Sequence, residues 1–128
     1  MLITHNPICT SNNMGKTFLS LFSAFGKAEL CQLYVHPTIP DVDACGSCYR
    51  ITDRQVLKAL PFGCPGAEVS AEQVQQQIAL RGAGTLPPPP KRGGASAGKR
   101  LLRDAMWGLS RWYSRDLRAW LEREKPTC

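Results

Sequence analysis

Apolar and polar positions alternate in blocks that predict a strand, a helix and a second strand in the first third of the chain. The run Met1–Thr4 is apolar and ends at a polar, proline-containing break, as is typical of a buried strand at its carboxyl end. The loop Ile8–Asn13 is rich in capping residues, and apolar residues then recur at helical spacing over Phe18–Phe25 until Gly26 ends the helix. Glu29–His36 reads as the second strand. This order predicts a βαβ unit.

The middle of the chain carries a third strand signal and two helix starts. Cys48–Ile51 is the candidate strand. Thr52 with Gln55, and Ser70 with Gln73, have the spacing of capping boxes, in which each side chain bonds the other residue's backbone N–H. A helix is therefore expected after Thr52 and another after Ser70.

The last part of the chain predicts one long helix, from Gly98 to about Glu124, that Pro126 stops. Its apolar residues fall on one side at a period of 3.6. They are Leu102, Ala105, Met106, Leu109, Tyr113, Leu117 and Trp120. Such a helix covers a sheet, and a parallel strand is expected after it in an α/β chain. Only Thr127 and Cys128 follow, so we expect the domain to be truncated at its carboxyl end.

Composition and length favour one globular domain. The chain has 128 residues, 43% of them hydrophobic, and a formal charge of +6. The Gly- and Pro-rich stretch 82–98, which contains Pro87–Pro90, is expected to be a disordered surface insert. No apolar run reaches the ~20 residues that cross a bilayer, and the amino terminus does not have the order of a signal peptide, so a cytoplasmic location is predicted. The six cysteines are accordingly read as free thiols, with Cys9 and Cys31 in the core.

The loop between the first strand and helix ends in Gly15-Lys16-Thr17, the closing triplet of a P-loop. Thr10 occupies the position of the first required glycine, and a β-branched residue hinders the tight turn that cradles phosphate. Two alternatives remain open: a helix start that binds an anion through its free N–H groups, and a plain capped turn.

Cys45-Gly-Ser-Cys48 has the spacing of a metal knuckle or a redox pair, with His36 and Cys64 nearby in sequence. A zinc site normally uses two compact ligand pairs, and a thioredoxin-like motif normally opens a helix, whereas this stretch leads into a strand. Ordinary thiols are favoured, and no metal site is predicted.

The side of the predicted long helix opposite its apolar stripe is basic. It carries Arg100, Trp107, Arg111, Arg115 and Arg118. A solvated helix face is the favoured interpretation, and a surface resting on anionic lipid at the inner face of the membrane is the functional alternative. Because no nucleic-acid-binding signature accompanies the charge, a nucleic-acid partner is not predicted.

Three stretches together resemble bacterial glycosyltransferases of the GT-B architecture, related to glycosyltransferase family 4, that build cell-surface polysaccharide. They are THNPICTSNNMGKTFLSLFSAF, AELCQLYVHPTIPDVDACGSCYRITDRQVLKAL and LLRDAMWGLSRWYSRDLRAWLEREKP. The more specific parts are Ser-Asn-Asn with Gly15, the strand Gln32–Tyr34, the turn Arg50–Asp53, and the Trp-rich basic helix that ends in Lys-Pro.

The resemblance implies a doubly wound, Rossmann-like α/β domain, with a parallel sheet flanked by helices, that forms the N-terminal, acceptor-side half of a GT-B enzyme over residues 1–128. The donor-binding half would be absent. The enzyme would transfer a sugar from a nucleotide-diphosphate sugar to a glycan or lipid-linked saccharide, and Asn12, Asn13 and Gly15 would line the substrate cleft. No catalytic residue is assigned, no cofactor is expected to bind, and the chain alone is expected to be inactive. The alternative is a small nucleotide-binding or interaction module that uses Gly15-Lys16-Thr17.

Overall fold

The computed structural model describes residues 1–60, 63, 65–84 and 96–125, and these residues form an α/β fold. Within these residues, four strands and five helices follow one another. They are β1 (Leu2–Thr4), α1 (Asn13–Leu21), β2 (Cys31–Tyr34), β3 (Ser47–Arg50), α2 (Asp53–Ala59), β4 (Ala67–Val69), α3 (Ala71–Gly82), α4 (Ala97–Leu109) and α5 (Arg115–Glu124), with a 3₁₀ turn at Lys27–Glu29 before β2. Among these helices, none combines the length and apolar character needed to cross a membrane.

The four strands form one mostly parallel sheet in the order β1-β2-β3-β4. β1, β2 and β3 are parallel, and β4 adds antiparallel to β3, with Cys48 opposite Val69. This sheet, flanked by helices, confirms the predicted α/β class and is compatible with a Rossmann-like fold. The strands follow chain order without reversal in the part of the chain described, so this part shows no doubly wound sheet.

One face of the sheet is covered by α2 and α5. Side chains at alternate positions of β2 and β3 meet Val56, Leu117 and Trp120 there, as expected for the two-residue period of a strand. The Trp120 indole packs 5.5 Å from the Tyr49 ring and donates a hydrogen bond of 2.5 Å to the Ser47 hydroxyl. A buried indole N–H with a partner avoids the cost of an unmade hydrogen bond.

The opposite face is covered by α3 and by the connection 35–46. Tyr34, Cys48 and Val69 pack with Val74 of α3 in a second apolar cluster, and Cys45 lies at its edge. The predicted core position of Cys9 is confirmed, since it is fully buried, and Cys31 is buried on the α2/α5 face.

The predicted long helix is wrong. It is two helices, α4 and α5, joined by residues 110–114. The Ser114 hydroxyl accepts a hydrogen bond from the Leu117 N–H and so starts a new helix, which lets Leu117 and Trp120 reach the sheet. The other end of the predicted stripe is in solvent, because Leu102 is 72% and Leu109 76% exposed.

Other boundaries shift by a few residues, and one strand was missed. α1 ends at Leu21 rather than Gly26, and β2 is shorter than predicted. β4 has three residues, of which only Val69 is buried, so its pattern is too short to detect. Both predicted capping boxes, at Thr52 and Ser70, are confirmed. Most of the predicted insert, including Pro87–Pro90, and the predicted stop at Pro126 lie outside the described residues.

Substitution of two leucines of the predicted stripe distinguishes one long helix from the two helices α4 and α5. Leu117→Ala removes a side chain that is 1% exposed, and we expect it to lower the free energy of unfolding by about 2–5 kcal/mol. The matched change Leu109→Ala, at a site 76% exposed, should stay within about 0.5 kcal/mol of the parent protein. Urea unfolding followed by circular dichroism measures both. Equal losses would contradict the division into two helices.

Candidate functional site at the carboxyl edge of the sheet

The amide of Gln32 fixes the path of the chain after β1. This side chain is fully buried on β2. Its Oε1 accepts a hydrogen bond of 3.1 Å from the Ile8 N–H, and its Nε2 donates to the Thr4 hydroxyl at 2.7 Å and to the Asn6 carbonyl at 3.2 Å. The segment that leaves the carboxyl end of β1 is therefore held against β2.

The predicted substrate-binding residues lie at the start of α1, where two of them have structural contacts. Asn12 is the N-cap: its Oδ1 accepts from the Gly15 N–H at 2.7 Å, and its Nδ2 donates to the Cys9 sulfur at 3.1 Å. Gly15 is buried because α1 approaches Cys9 so closely that an added Cβ would lie 2.5 Å from the Cys9 carbonyl oxygen. Asn13 is exposed.

The Gly-Lys-Thr triplet lies within the first turns of α1. The Lys16 N–H donates to the Asn12 carbonyl at 3.1 Å, and the Thr17 hydroxyl donates to the Asn13 carbonyl at 2.9 Å. In a P-loop the corresponding threonine hydroxyl binds Mg²⁺ and the backbone N–H groups face phosphate. These contacts favour the capped turn among the alternatives that the sequence leaves open.

A buried carboxylate ties the same loop to the connection 35–46. Asp41 accepts from the Thr10 N–H at 2.7 Å and from the Thr10 hydroxyl at 3.1 Å, and it forms an ion pair with Arg81 at the end of α3. Its side chain is only 4% exposed, so these three partners offset the cost of burying its charge. The loop, the connection and α3 are thereby held together.

A cleft of about 700 Å³ opens at the carboxyl ends of the three parallel strands. β1 contributes His5 just after its end, the chain after β2 contributes Val35–Pro37, and β3 contributes Arg50 at its end; the remaining wall comes from Thr52–Gln55 and Lys58 of the α2 region and from Arg103 of α4. Ligands of open α/β sheets bind at this edge. The residues that line this space define what we call the carboxyl-edge cleft.

The carboxyl-edge cleft is strongly cationic. Four cationic side chains, Arg50, Arg54, Lys58 and Arg103, face one carboxylate, Asp53. Arg103 forms an ion pair of 3.1 Å with Asp53, which also accepts a hydrogen bond from the Trp107 indole at 2.7 Å.

Two of these cations are free for a ligand. Arg54 and Lys58 are exposed and have no ion-pair partner in the part of the chain that the structure describes. Arg50 donates to the Pro37 carbonyl at 2.9 Å, and the rings of His5 and His36 meet edge to face at 5.7 Å. The arrangement can bind an anion through Arg54 and Lys58 of α2, in a cleft that Arg50 also lines.

The residues of the predicted membrane-contact face do not share one helix side. Arg100 and Trp107 belong to α4, Arg111 lies between the helices, and Arg115 and Arg118 belong to α5. Trp107 is half-buried against the core and bonded to Asp53, so its indole is part of the fold. Because the predicted long helix is two helices, these residues do not form one continuous basic helix face.

Sequence reasoning missed the carboxyl-edge cleft because its residues are far apart in the chain. The signal was present, since His5, His36 and Arg50 each lie at or next to the carboxyl end of a predicted strand, and the carboxyl ends of parallel strands share one edge. Within the described residues no three His, Cys, Asp or Glu side chains are grouped as metal ligands. The Cys64 ligand considered above lies outside those residues.

We compared the chain with protein-family models, with curated proteins and with solved structures, and none of the three comparisons gave a match. The function must therefore be inferred from the residues and the geometry of the site.

The packing of α1 on Cys9 is open to a direct test. We expect Gly15→Ala to destabilise the protein by about 1–3 kcal/mol, because the new Cβ overlaps the Cys9 backbone. Gly98→Ala is the matched control in α4, where an added Cβ meets no atom within 4 Å, and should be neutral or stabilising by up to about 1 kcal/mol. Thermal and urea unfolding give both values. A Gly15→Ala protein as stable as the parent would show that the close approach is wrong.

Proposed function

We propose that the chain is the acceptor-side domain of a GT-B glycosyltransferase, and that its carboxyl-edge cleft binds a phosphate-bearing substrate of sugar transfer. The observation that carries this proposal is the charge of the cleft: four cations against one carboxylate at the edge of the sheet where α/β folds bind ligands. The resemblance of the sequence to such transferases supplies the reaction.

The position of the cleft suits a two-domain transferase. In that architecture the loop after the first strand lies beside the space between the domains. Here Gln32 holds that loop in place, and His5 from it lines the cleft. The substrate site is therefore proposed at His5, Arg50 and α2, with Asn12 and Gly15 in a supporting role that positions the loop.

The charges of the cleft suit a diphosphate. Arg54 and Lys58 are exposed cations one helical turn apart on α2, so both can approach one ligand from the same helix side. Guanidinium groups bind phosphate oxygens in pairs, and an ammonium group adds a compact point charge. Asp53 is already partly neutralised by Arg103, so it opposes the bound anion less.

Sugar transfer develops negative charge on a diphosphate, which cations such as those of the cleft can stabilise. When a sugar leaves a nucleotide-diphosphate donor, the departing diphosphate gains charge, and preorganised cations stabilise that charge in the transition state. A saccharide acceptor joined to its lipid through phosphate would present the same group. The common chemistry is a diphosphate next to a sugar, and transfer itself would require the donor-binding domain as well.

Lysine-to-alanine changes at two sites test this proposal against the P-loop alternative. We expect Lys58→Ala to weaken binding of uridine diphosphate or inorganic pyrophosphate about tenfold, or ~1.4 kcal/mol, since it removes a cleft cation. Lys16→Ala removes the same charge from an exposed site on α1 and should leave binding unchanged. Isothermal titration calorimetry at low salt, repeated at 0.5 M NaCl to screen the charges, provides the affinities.

The opposite pattern would contradict the proposal. Magnesium-dependent triphosphate binding that is lost in Lys16→Ala, and kept in Lys58→Ala, would support a small nucleotide-binding module. Absence of diphosphate binding to the parent protein at low salt would exclude the cleft as a phosphate site.

A further inference from the structure

Cys45 and Cys48 lie together on the sheet face that α3 covers. Both contact the apolar cluster of Tyr34, Val69 and Val74. A cavity of about 10 Å³, room for no more than one water molecule, is lined by both cysteines. The two thiols therefore share one small site that the sugar-transfer proposal does not use.

A bend at Gly46 brings these two side chains together. Along a straight strand, residues three apart point to opposite faces, so Cys45 would face away from Cys48. The Gly46 N–H donates to the Leu30 carbonyl at 2.9 Å, and an added Cβ at Gly46 would lie 3.1 Å from the Lys27 carbonyl oxygen. This hydrogen bond and close approach fix the bend just before β3 begins.

The two thiols differ in access and in acidity. Cys45 is half-buried, whereas the three other cysteines in the described part of the chain, Cys9, Cys31 and Cys48, are buried. A hydrogen bond from the Cys48 thiol lowers the pKa of Cys45, and the same bond together with burial raises the pKa of Cys48. Cys45 is thus the accessible thiol that ionises more easily, and Cys48 is the protected thiol behind it.

We infer that Cys45 and Cys48 form a reversible dithiol–disulfide site that reacts with low-molecular-weight disulfides. The Cys45 thiolate attacks one sulfur of the small disulfide, forms a mixed disulfide and releases one thiol. Cys48, after loss of its proton, attacks the Cys45 sulfur of that mixed disulfide and releases the second thiol. The protein loses two electrons and two protons, and the small disulfide is reduced to two thiols.

The disulfide would close a short loop from Cys45, at the end of the connection 35–46, to Cys48 of β3. The same connection carries Asp41, which holds the loop after β1, and it begins with the Val35–Pro37 wall of the carboxyl-edge cleft. Oxidation of the pair would therefore stiffen the connection 35–46, which lies between the sheet and the carboxyl-edge cleft.

Equilibration of the whole protein in glutathione buffers of graded redox ratio tests the inference. Tryptic cleavage after Lys27 and Arg50 leaves Cys31, Cys45 and Cys48 on one peptide, and its fragmentation after alkylation locates any bridge. We expect a Cys45–Cys48 bridge in at least half of the molecules at ratios where Cys9 and Cys31 remain reduced. Cys31→Ala, which removes a buried thiol from the opposite face, should retain the bridge.

A second variant tests the order of attack. Cys48→Ala lacks the resolving thiol and should accumulate a glutathione adduct on Cys45. The inference is overturned if excess oxidised glutathione leaves both thiols reduced, if the parent protein retains an unresolved adduct on Cys45, or if the bridge joins another cysteine pair. Should Cys48→Ala fail to fold, the parent and Cys31→Ala proteins still decide the outcome.

Discussion

The buried amide of Gln32 is the constraint on which the site depends. An amide in the interior must make its hydrogen bonds within the protein, since an unpaired one costs roughly 1–3 kcal/mol. Gln32 has three such partners: the hydroxyl of Thr4 at the end of β1, and the Asn6 carbonyl and Ile8 N–H of the segment that follows. That segment is therefore held against β2, with His5 at the carboxyl edge of the sheet and Cys9 in close contact with Gly15 of α1.

Local signals in the sequence predicted most helix starts and the parallel strands. They failed where tertiary packing determines where a helix ends. The capping boxes at Thr52 and Ser70 act within four residues, so their pattern is visible in the sequence. Residues 110–114 contain neither Gly nor Pro, and a helical period continues through them. The helix ends there because Leu117 and Trp120 pack on the sheet, and a contact with Ser47, 73 residues away, is invisible to periodicity.

The candidate site was predicted only in part, for the same reason. Asn12 and Gly15 are recognisable from their neighbours in sequence. In the structure Asn12 caps α1, and Gly15 allows α1 to approach Cys9 closely. The carboxyl-edge cleft joins residues from His5 to Arg103, so its charge appears only when the strand order is known. The Cys45–Cys48 pair was predictable in part. Its spacing is visible in the sequence, but the bend at Gly46 that brings the thiols together depends on contacts with Leu30 and Lys27.

We infer that an anion binds at the carboxyl ends of the strands rather than at the start of α1. The loop that Gln32 holds, the cationic edge of the sheet and the capped start of α2 all lie at that site. Backbone amide chemical shifts of the ¹⁵N-labelled protein during titration with pyrophosphate measure where it binds. We expect the shifts to concentrate at His5, His36 and residues 50–58. Shifts concentrated at residues 11–17 would contradict that inference.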